Sequence, residues 1–364
     1  MEKGKISAWQ LGAILYLQSM GIGVLVIPGI TAKYAGIDLW LTPILASLGG
    51  FIVVYVAYTL HKLYPDRTIV QAAERILGRI PGKVVGLGIC FFYLHIAGLL
   101  LRNYAEFLAV LFLPKTPIVV LSGCMIAVCA FAVRGGLEVI GRTAQLIVPV
   151  FTLLLLFLIL LLLKDLTPEK ALPVLEHGML PVFKGAVRLQ GFFTEMLLVA
   201  FLFPFVNDRN KGLKAATGSV AAVAFTMVVI NLVALFLLGK DTANELYPLI
   251  VASRYISVAD FFENLEAVAM AIWVLGIFLK LSLFYYAAVL GTAQLLDLSG
   301  YGSIVFPLGL LITLLSFWYV PNVSSLFQFF TMYPFYAMLF QAFLPMLLLA
   351  VGWVRHAKRE LKGG

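Results

Sequence analysis

Charge is scarce in this sequence. Lys and Arg number 26 and Asp and Glu 18 in 364 residues, 12% of the chain, against 62% hydrophobic residues. The mean hydropathy is +1.02. That excludes an ordinary soluble domain, whose surface needs about twice as much charge. Cysteine is scarcer still, at three residues. Cys90, Cys124 and Cys129 lie in apolar segments with no metal or redox spacing, so they read as small packing residues. The chain lacks an HExxH stretch, a phosphate loop and a nucleophile–base pair. Its polar segments are too short for a nucleotide-binding domain. Neither an enzyme nor an ATP-driven pump is expected, and no cofactor or metal is implied. The lone outer-loop pair Glu176-His177 reads as solvated rather than metal-binding.

What the chain has in plenty is long apolar runs. Runs of this length recur from end to end and define an all-α polytopic membrane protein forming a single membrane domain over 1–364. The first run is too long for a signal peptide and lacks a cleavage site. Turn signals such as Tyr64-Pro-Asp, Pro114-Lys-Thr-Pro117 and Val320-Pro-Asn322 divide the chain into ten spans. These are 8–35, 38–61, 83–113, 116–134, 139–163, 186–206, 214–239, 263–295, 302–320 and 325–354.

The net charge of +8 is explained by basic loops at a membrane rather than by nucleic acid. Lys62, Arg67, Arg75, Arg79, Lys83, Arg134, Arg142, Lys211 and Arg355 fall on one side; Asp241, Glu245, Asp260, Glu263 and Glu266 collect on the other. The positive-inside rule then places both termini in the cytoplasm. Between spans 2 and 3, residues 68–79 read as a short amphipathic helix with a Thr68–Gln71 capping box. The loop 164–185 carries three prolines and is expected to wrap the outer surface.

Ten spans divide into two fives, 8–163 and 186–354, and an odd number forces the second five to run inverted. Corresponding spans then show matching features. Spans 3 and 8 are both long and both carry charge. Span 1 holds Gly21 and Gly23 at mid-run, and span 6 holds Gly191, Glu195 and Pro204. Interrupted helices at matching positions of inverted halves mark a secondary-transporter core with its site at the midplane.

The stretch Ser19-Met20-Gly21-Ile22-Gly23 has two readings. An unwound turn would expose peptide groups to a solute's carboxylate and amino group. The other reading is close helix packing through small residues. Glu195, midway through span 6, faces a polar interior, because an acid at the bilayer centre costs about 2.5–3.5 kcal/mol or more. Gly191 and Thr194 before it form a candidate second unwound turn, with Phe192 beside the solute. Lys280, mid-span in span 8, bears the same cost. It either couples or gates, alone or paired with Glu195, or it ties span 8 to carbonyls of span 1. Ser282 and Tyr285 are placed on the same face. Arg102 and Glu106 stand four apart on span 3, either as a structural ion pair or as an outer gate. His95 reads as a polar packing residue.

"MGIGVLVIPG" resembles the first-helix motif of the amino acid–polyamine–organocation superfamily. Over its full length the chain resembles the B subunits of bacterial endospore germinant receptors, the spore germination permease family. The resemblance rests on "RNYAEF" at 102–107, "LPKTPI", "GGLEVIGR" at 135–142, "LPVLEHGMLP", "TEMLLVAFLFPF" around Glu195 and "ENLEAVAMAIWV", in that order. It implies a LeuT-like fold with helices 1 and 6 broken. It also implies recognition of a small nutrient, typically an amino acid, and assembly with A and C receptor subunits in the inner membrane of the endospore. It carries over Gly21, Gly23, Arg102, Glu106 and Glu195 as functional positions. Thr194 stands where the resemblance leads one to expect glycine, and the Lys280 position varies among such proteins. The alternative is a proton-coupled amino acid transporter of the same superfamily, using Glu195 and Lys280.

Overall fold

The computed structural model describes residues 2, 4–254, 257–258, 262–263, 265–318 and 323–363. Asp260 and the Val320-Pro-Asn322 turn lie outside the described residues. The chain is helical almost throughout. Helix α1 spans Ala8–Ala35 and starts at a capping box in which Ser7 Oγ accepts from Gln10 N at 3.1 Å and Gln10 Oε1 accepts from Ser7 N at 2.9 Å. A 3₁₀ turn, Gly36–Leu41, leads into α2, Thr42–Leu63. Short α3, Ile69–Leu77, has the expected Thr68–Gln71 capping box and buries Ile69, Ala72, Ala73 and Ile76. It lies against α4, Arg79–Leu111.

Gly78, at φ 98°, is the one residue between α3 and α4, and Gly136, at φ 88°, separates α5, Ile118–Gly135, from α6, Leu137–Leu162. Only glycine enters this region cheaply, so each makes a sharp corner without a loop. Helix α7, Met179–Thr194, starts several residues before the expected span, so the outer loop is shorter than its prolines suggest. A 3₁₀ turn, Glu195–Leu198, joins it to the single turn α8, Val199–Leu202. Next come α9, Arg209–Leu238, capped by Asp208, and short α10, Pro248–Arg254. Two-residue strands β1, Ser257–Val258, and β2, Phe262–Glu263, pair antiparallel. They precede α11, Glu266–Leu295. Helices α12, Val305–Trp318, α13, Val323–Met338, and α14, Leu344–Gly363, complete the chain.

Among the described residues, eight helical stretches are long and apolar enough to cross a membrane. The first, Ala8–Leu63, contains both α1 and α2, and Gly302–Trp318 is a shorter apolar stretch. Outward faces carry bare apolar side chains such as Leu146, Phe225 and Trp318. This is the surface lipid requires.

Two helices form the centre. Helix α1 packs on α9, α11, α7 and α6, and α11 packs on α4, α1, α6 and α5. Their crossing is at Gly21 and Gly276: a Cβ at Gly21 would stand 2.6 Å from the Gly276 carbonyl oxygen. The expected unwinding of span 1 is therefore absent. Residues 19–24 are continuous α-helix, and their peptide groups stay within it. Glycine here removes side-chain bulk so that two backbones meet, which is the packing reading of that stretch.

The end of the bundle where α1 begins is held by Glu2. Its Oε2 accepts from Tyr301 Oη at 2.7 Å, Leu137 N at 3.0 Å and Tyr286 Oη at 3.1 Å, while Oε1 accepts from Gly4 N at 2.7 Å. Burial pushes this carboxyl up, but the four donors outweigh it and leave it below its ordinary 4.5.

Candidate functional site

The interruption at Glu195 is real, and it differs from the expectation. Helix α7 continues through Gly191 and Thr194, and the chain then tightens into 3₁₀ geometry. Gly191 gives room to the Tyr333 ring, whose nearest atoms would lie 2.9 Å from an added Cβ. The Thr194 hydroxyl donates back to Gln190 O at 2.7 Å and to Gln341 Oε1 at 3.4 Å. Neither residue faces the cavity described below.

Glu195 does. From the first position of the 3₁₀ turn its carboxylate meets Lys280 Nζ of α11 at 2.7 and 2.9 Å. The Tyr333 hydroxyl of α13 donates to Glu195 Oε1. Both charged residues are 1% exposed. The ammonium also lies 5.4 Å from the Phe192 ring centroid and 5.7 Å from that of Phe284. Each charge alone would be costly in hydrocarbon; together, hydrogen-bonded and flanked by aromatic faces, they compensate each other.

This pair forms the floor of a cavity of about 400 Å³. Ile22 and Val26 of α1, Leu99, Leu100 and Asn103 of α4, and Phe192 of α7 form much of its wall. It reaches the surface at the end of the bundle where α1 finishes, beside Lys33, Tyr34, Arg188, Glu245 and Leu246. Arg188 Nη1 donates to Thr331 O at 2.8 Å, and its guanidinium lies 4.8 Å from the Tyr34 ring centroid. Asn103 is buried, and its Oδ1 has no partner among the described residues. The Gly29 face of α1 is sealed on the segment before α10, where a Cβ would stand 2.4 Å from Glu245 O.

Of the residues singled out from the sequence, Ile22, Phe192, Glu195 and Lys280 meet at this cavity. Gly21 and Gly23 do not line it. An added Cβ at Gly23 would meet Ile27 Cδ1 at 2.8 Å. Ser19 accepts from Gln18 Nε2 at 2.9 Å, and Met20 is buried in the core. Tyr285 points the other way: its hydroxyl donates to Val305 O, and its ring fills the space left by Gly309. The expectation of Tyr285 beside Lys280 fails because five residues on a helix point nearly opposite. Arg102 and Glu106 form a 2.6 Å ion pair, with Arg102 over the Phe317 ring. Neither borders the cavity, though their neighbour Asn103 does. His95 Nδ1 lies 3.2 Å from Tyr336 Oη.

Sequence reasoning missed Lys33, Asn103, Arg188, Glu245 and Tyr333. Lys33 and Arg188 were visible as charges inside drawn spans 8–35 and 186–206. Tyr333 carried no signal, since a tyrosine in a tyrosine-rich apolar helix is unremarked until its partner is known.

Apolar helices packed around a central cavity, with α7 giving way to a 3₁₀ turn beside it, have the build of a LeuT-fold membrane protein, although α1 is unbroken here. Solved structures agree. MhsT in complex with L-phenylalanine is 19% identical, with a TM-score of 0.66 over 95% of this chain and 89% of that one. The nucleobase-cation-symport-1 family transporter Mhp1, closed on bromovinylhydantoin, is 14% identical, with a TM-score of 0.61 over 92% of this chain and 76% of its own. The family described as spore germination protein matches residues 5–324, and the chain belongs to it. Spore germination protein KB of Bacillus subtilis (strain 168) is 28% identical over 371 aligned positions, 100% of this chain and 99% of that protein. Spore germination protein XB of Bacillus anthracis is 26% identical over 275 positions, 74% of this chain and 76% of its own.

Proposed function

We propose that this chain is the nutrient-sensing membrane subunit of a spore germination receptor, and that a small solute of the amino acid class binds in the cavity above the Lys280–Glu195 pair. The observation that carries this reading is the cavity itself: walled mainly by apolar side chains, floored by a buried ion pair and reaching the surface beside the end of α1. Family membership supports germination as the process, and the bound L-phenylalanine of MhsT is the kind of solute such a fold encloses. With the basic loops placed inside, the cavity opens outward, toward an arriving nutrient. Solute favours one arrangement of the bundle, and A and C receptor subunits in the endospore inner membrane read the change.

A thermal-shift screen of the purified chain against amino acids, sugars and nucleosides tests this. Amino acids are expected to stabilise it, by about 2.7 kcal/mol at a hundredfold excess over Kd. Stabilisation by none of these classes overturns the reading. The transporter reading is favoured by one observation, that the solved neighbours include a symporter and the transporter Mhp1. Proton-driven concentrative uptake of amino acid into proteoliposomes by this chain alone would establish it; binding without flux supports the sensing subunit.

A further inference from the structure

The cavity's charges are unevenly committed. At the floor, Lys280 and Glu195 are bonded to each other at 2.7 and 2.9 Å, and Tyr333 spends its hydroxyl on the same carboxylate. A ligand charge placed there would have to split a dry ion pair. At the mouth the position is reversed. Lys33 is exposed, and Arg188 and Glu245 are half-buried. None of these three is ion-paired with a described residue. Arg188 uses one donor on Thr331 O and rests on Tyr34, which fixes its guanidinium while leaving donors to spare. Between mouth and floor the wall is mostly apolar, its few polar groups being the amide of Asn103 and the hydroxyls of Tyr247 and Thr331.

The peptide groups of α1, which could have held a charged head group at mid-depth, remain within an unbroken helix. Recognition of charge therefore falls to side chains at the mouth. Two cations and one anion there suit a carboxylate and an ammonium on one carbon, with the cationic side in excess. A sugar or nucleoside would bring more hydroxyls and ring nitrogens than this wall can satisfy.

Resting on the reading above, we propose that the cavity takes an α-amino acid head-up: its carboxylate on Arg188 and Lys33, its ammonium toward Glu245, and an apolar side chain directed down to Ile22, Leu99 and Phe192. Arg188 is the specificity-determining residue, because its planar fork matches a carboxylate.

Binding to the purified full-length chain is measured for the twenty amino acids. The tightest binder is then compared with its decarboxylated amine and its deaminated acid; for leucine these are 3-methylbutan-1-amine and 4-methylpentanoate. The acid is expected to retain measurable binding and the amine to lose it. Arg188→Gln is expected to weaken the amino acid at least about tenfold, and Arg188→Lys less. Because Arg188 also braces Thr331, the exposed Lys33→Gln is the second variant, with an expected loss of about threefold. An amine that binds as tightly as the amino acid, or unchanged affinity in both Gln variants, overturns the orientation while leaving the functional reading intact. Binding of a sugar or nucleoside with no amino acid binding overturns the ligand class. If no solute of any class binds, the functional reading itself fails.

Discussion

Gly21 of α1 and Glu195 at the end of α7 pose the same local problem and resolve it oppositely. Ile22, next to Gly21, lines the same cavity as Glu195. Both positions interrupt an apolar run with a residue that weakens a helix or resists burial. At Gly21 the helix continues, because the missing side chain lets α11 approach until Gly276 blocks any Cβ. At Glu195 the helix tightens into a 3₁₀ turn, and the carboxylate is aimed at Lys280 and Tyr333. Glycine in a membrane helix thus need not mean an open backbone. A mid-run charge needs a partner, and finding it locates the site.

The largest effect expected from this contrast is at the charged break. Lys280→Met leaves Glu195 buried without its cation and should cost about 3–5 kcal/mol of stability. Combined with Glu195→Gln it should cost less than the sum of the two singles, read from melting in detergent. Equal additive losses would mean that the pair is not coupled.

At the packed crossing the penalty is expected to be smaller and sharply position-dependent. Gly21→Ala places a methyl against a backbone carbonyl and should destabilise by about 1–3 kcal/mol. Gly23→Ala meets only flexible side-chain ends, those of Ile27, Met227 and Met20, and should cost under about 1 kcal/mol. Similar losses at both sites would contradict the close Gly21–Gly276 contact.

The smallest effect is expected at Glu2, away from both. Its carboxyl is held below 4.5 in the folded chain, so its contribution to stability is present above that pH. It is lost as pH falls through the folded value. Wild type should therefore melt above Glu2→Gln at pH 7, and the two curves should converge in acid. A gap independent of pH would mean that the clasp acts without its charge.

Much of this architecture was legible in the sequence because lipid imposes long apolar runs and leaves charge nowhere to hide. Glu195 and Lys280 stood out for that reason, and the Thr68–Gln71 cap located α3. The state of span 1 was not legible. The same pair of glycines serves an unwound turn and a tight crossing, and only the position of Gly276 decides between them. Asn103 and Tyr333 were hidden for another reason: a polar side chain with an apolar body fits a membrane helix without notice, and its role depends on what faces it. Lys33 and Arg188 are charges near the ends of apolar runs, and only the cavity mouth beside them gives them meaning.

The central claim to test is that solute occupies the space between Val26 and the Lys280–Glu195 pair. Val26 lines the cavity from α1 and is only partly buried, so Val26→Trp should fill the space without disturbing the core. The thermal shift induced by amino acids should vanish in that variant while its unliganded melting temperature stays near wild type. An undiminished shift in a folded Val26→Trp chain would contradict it.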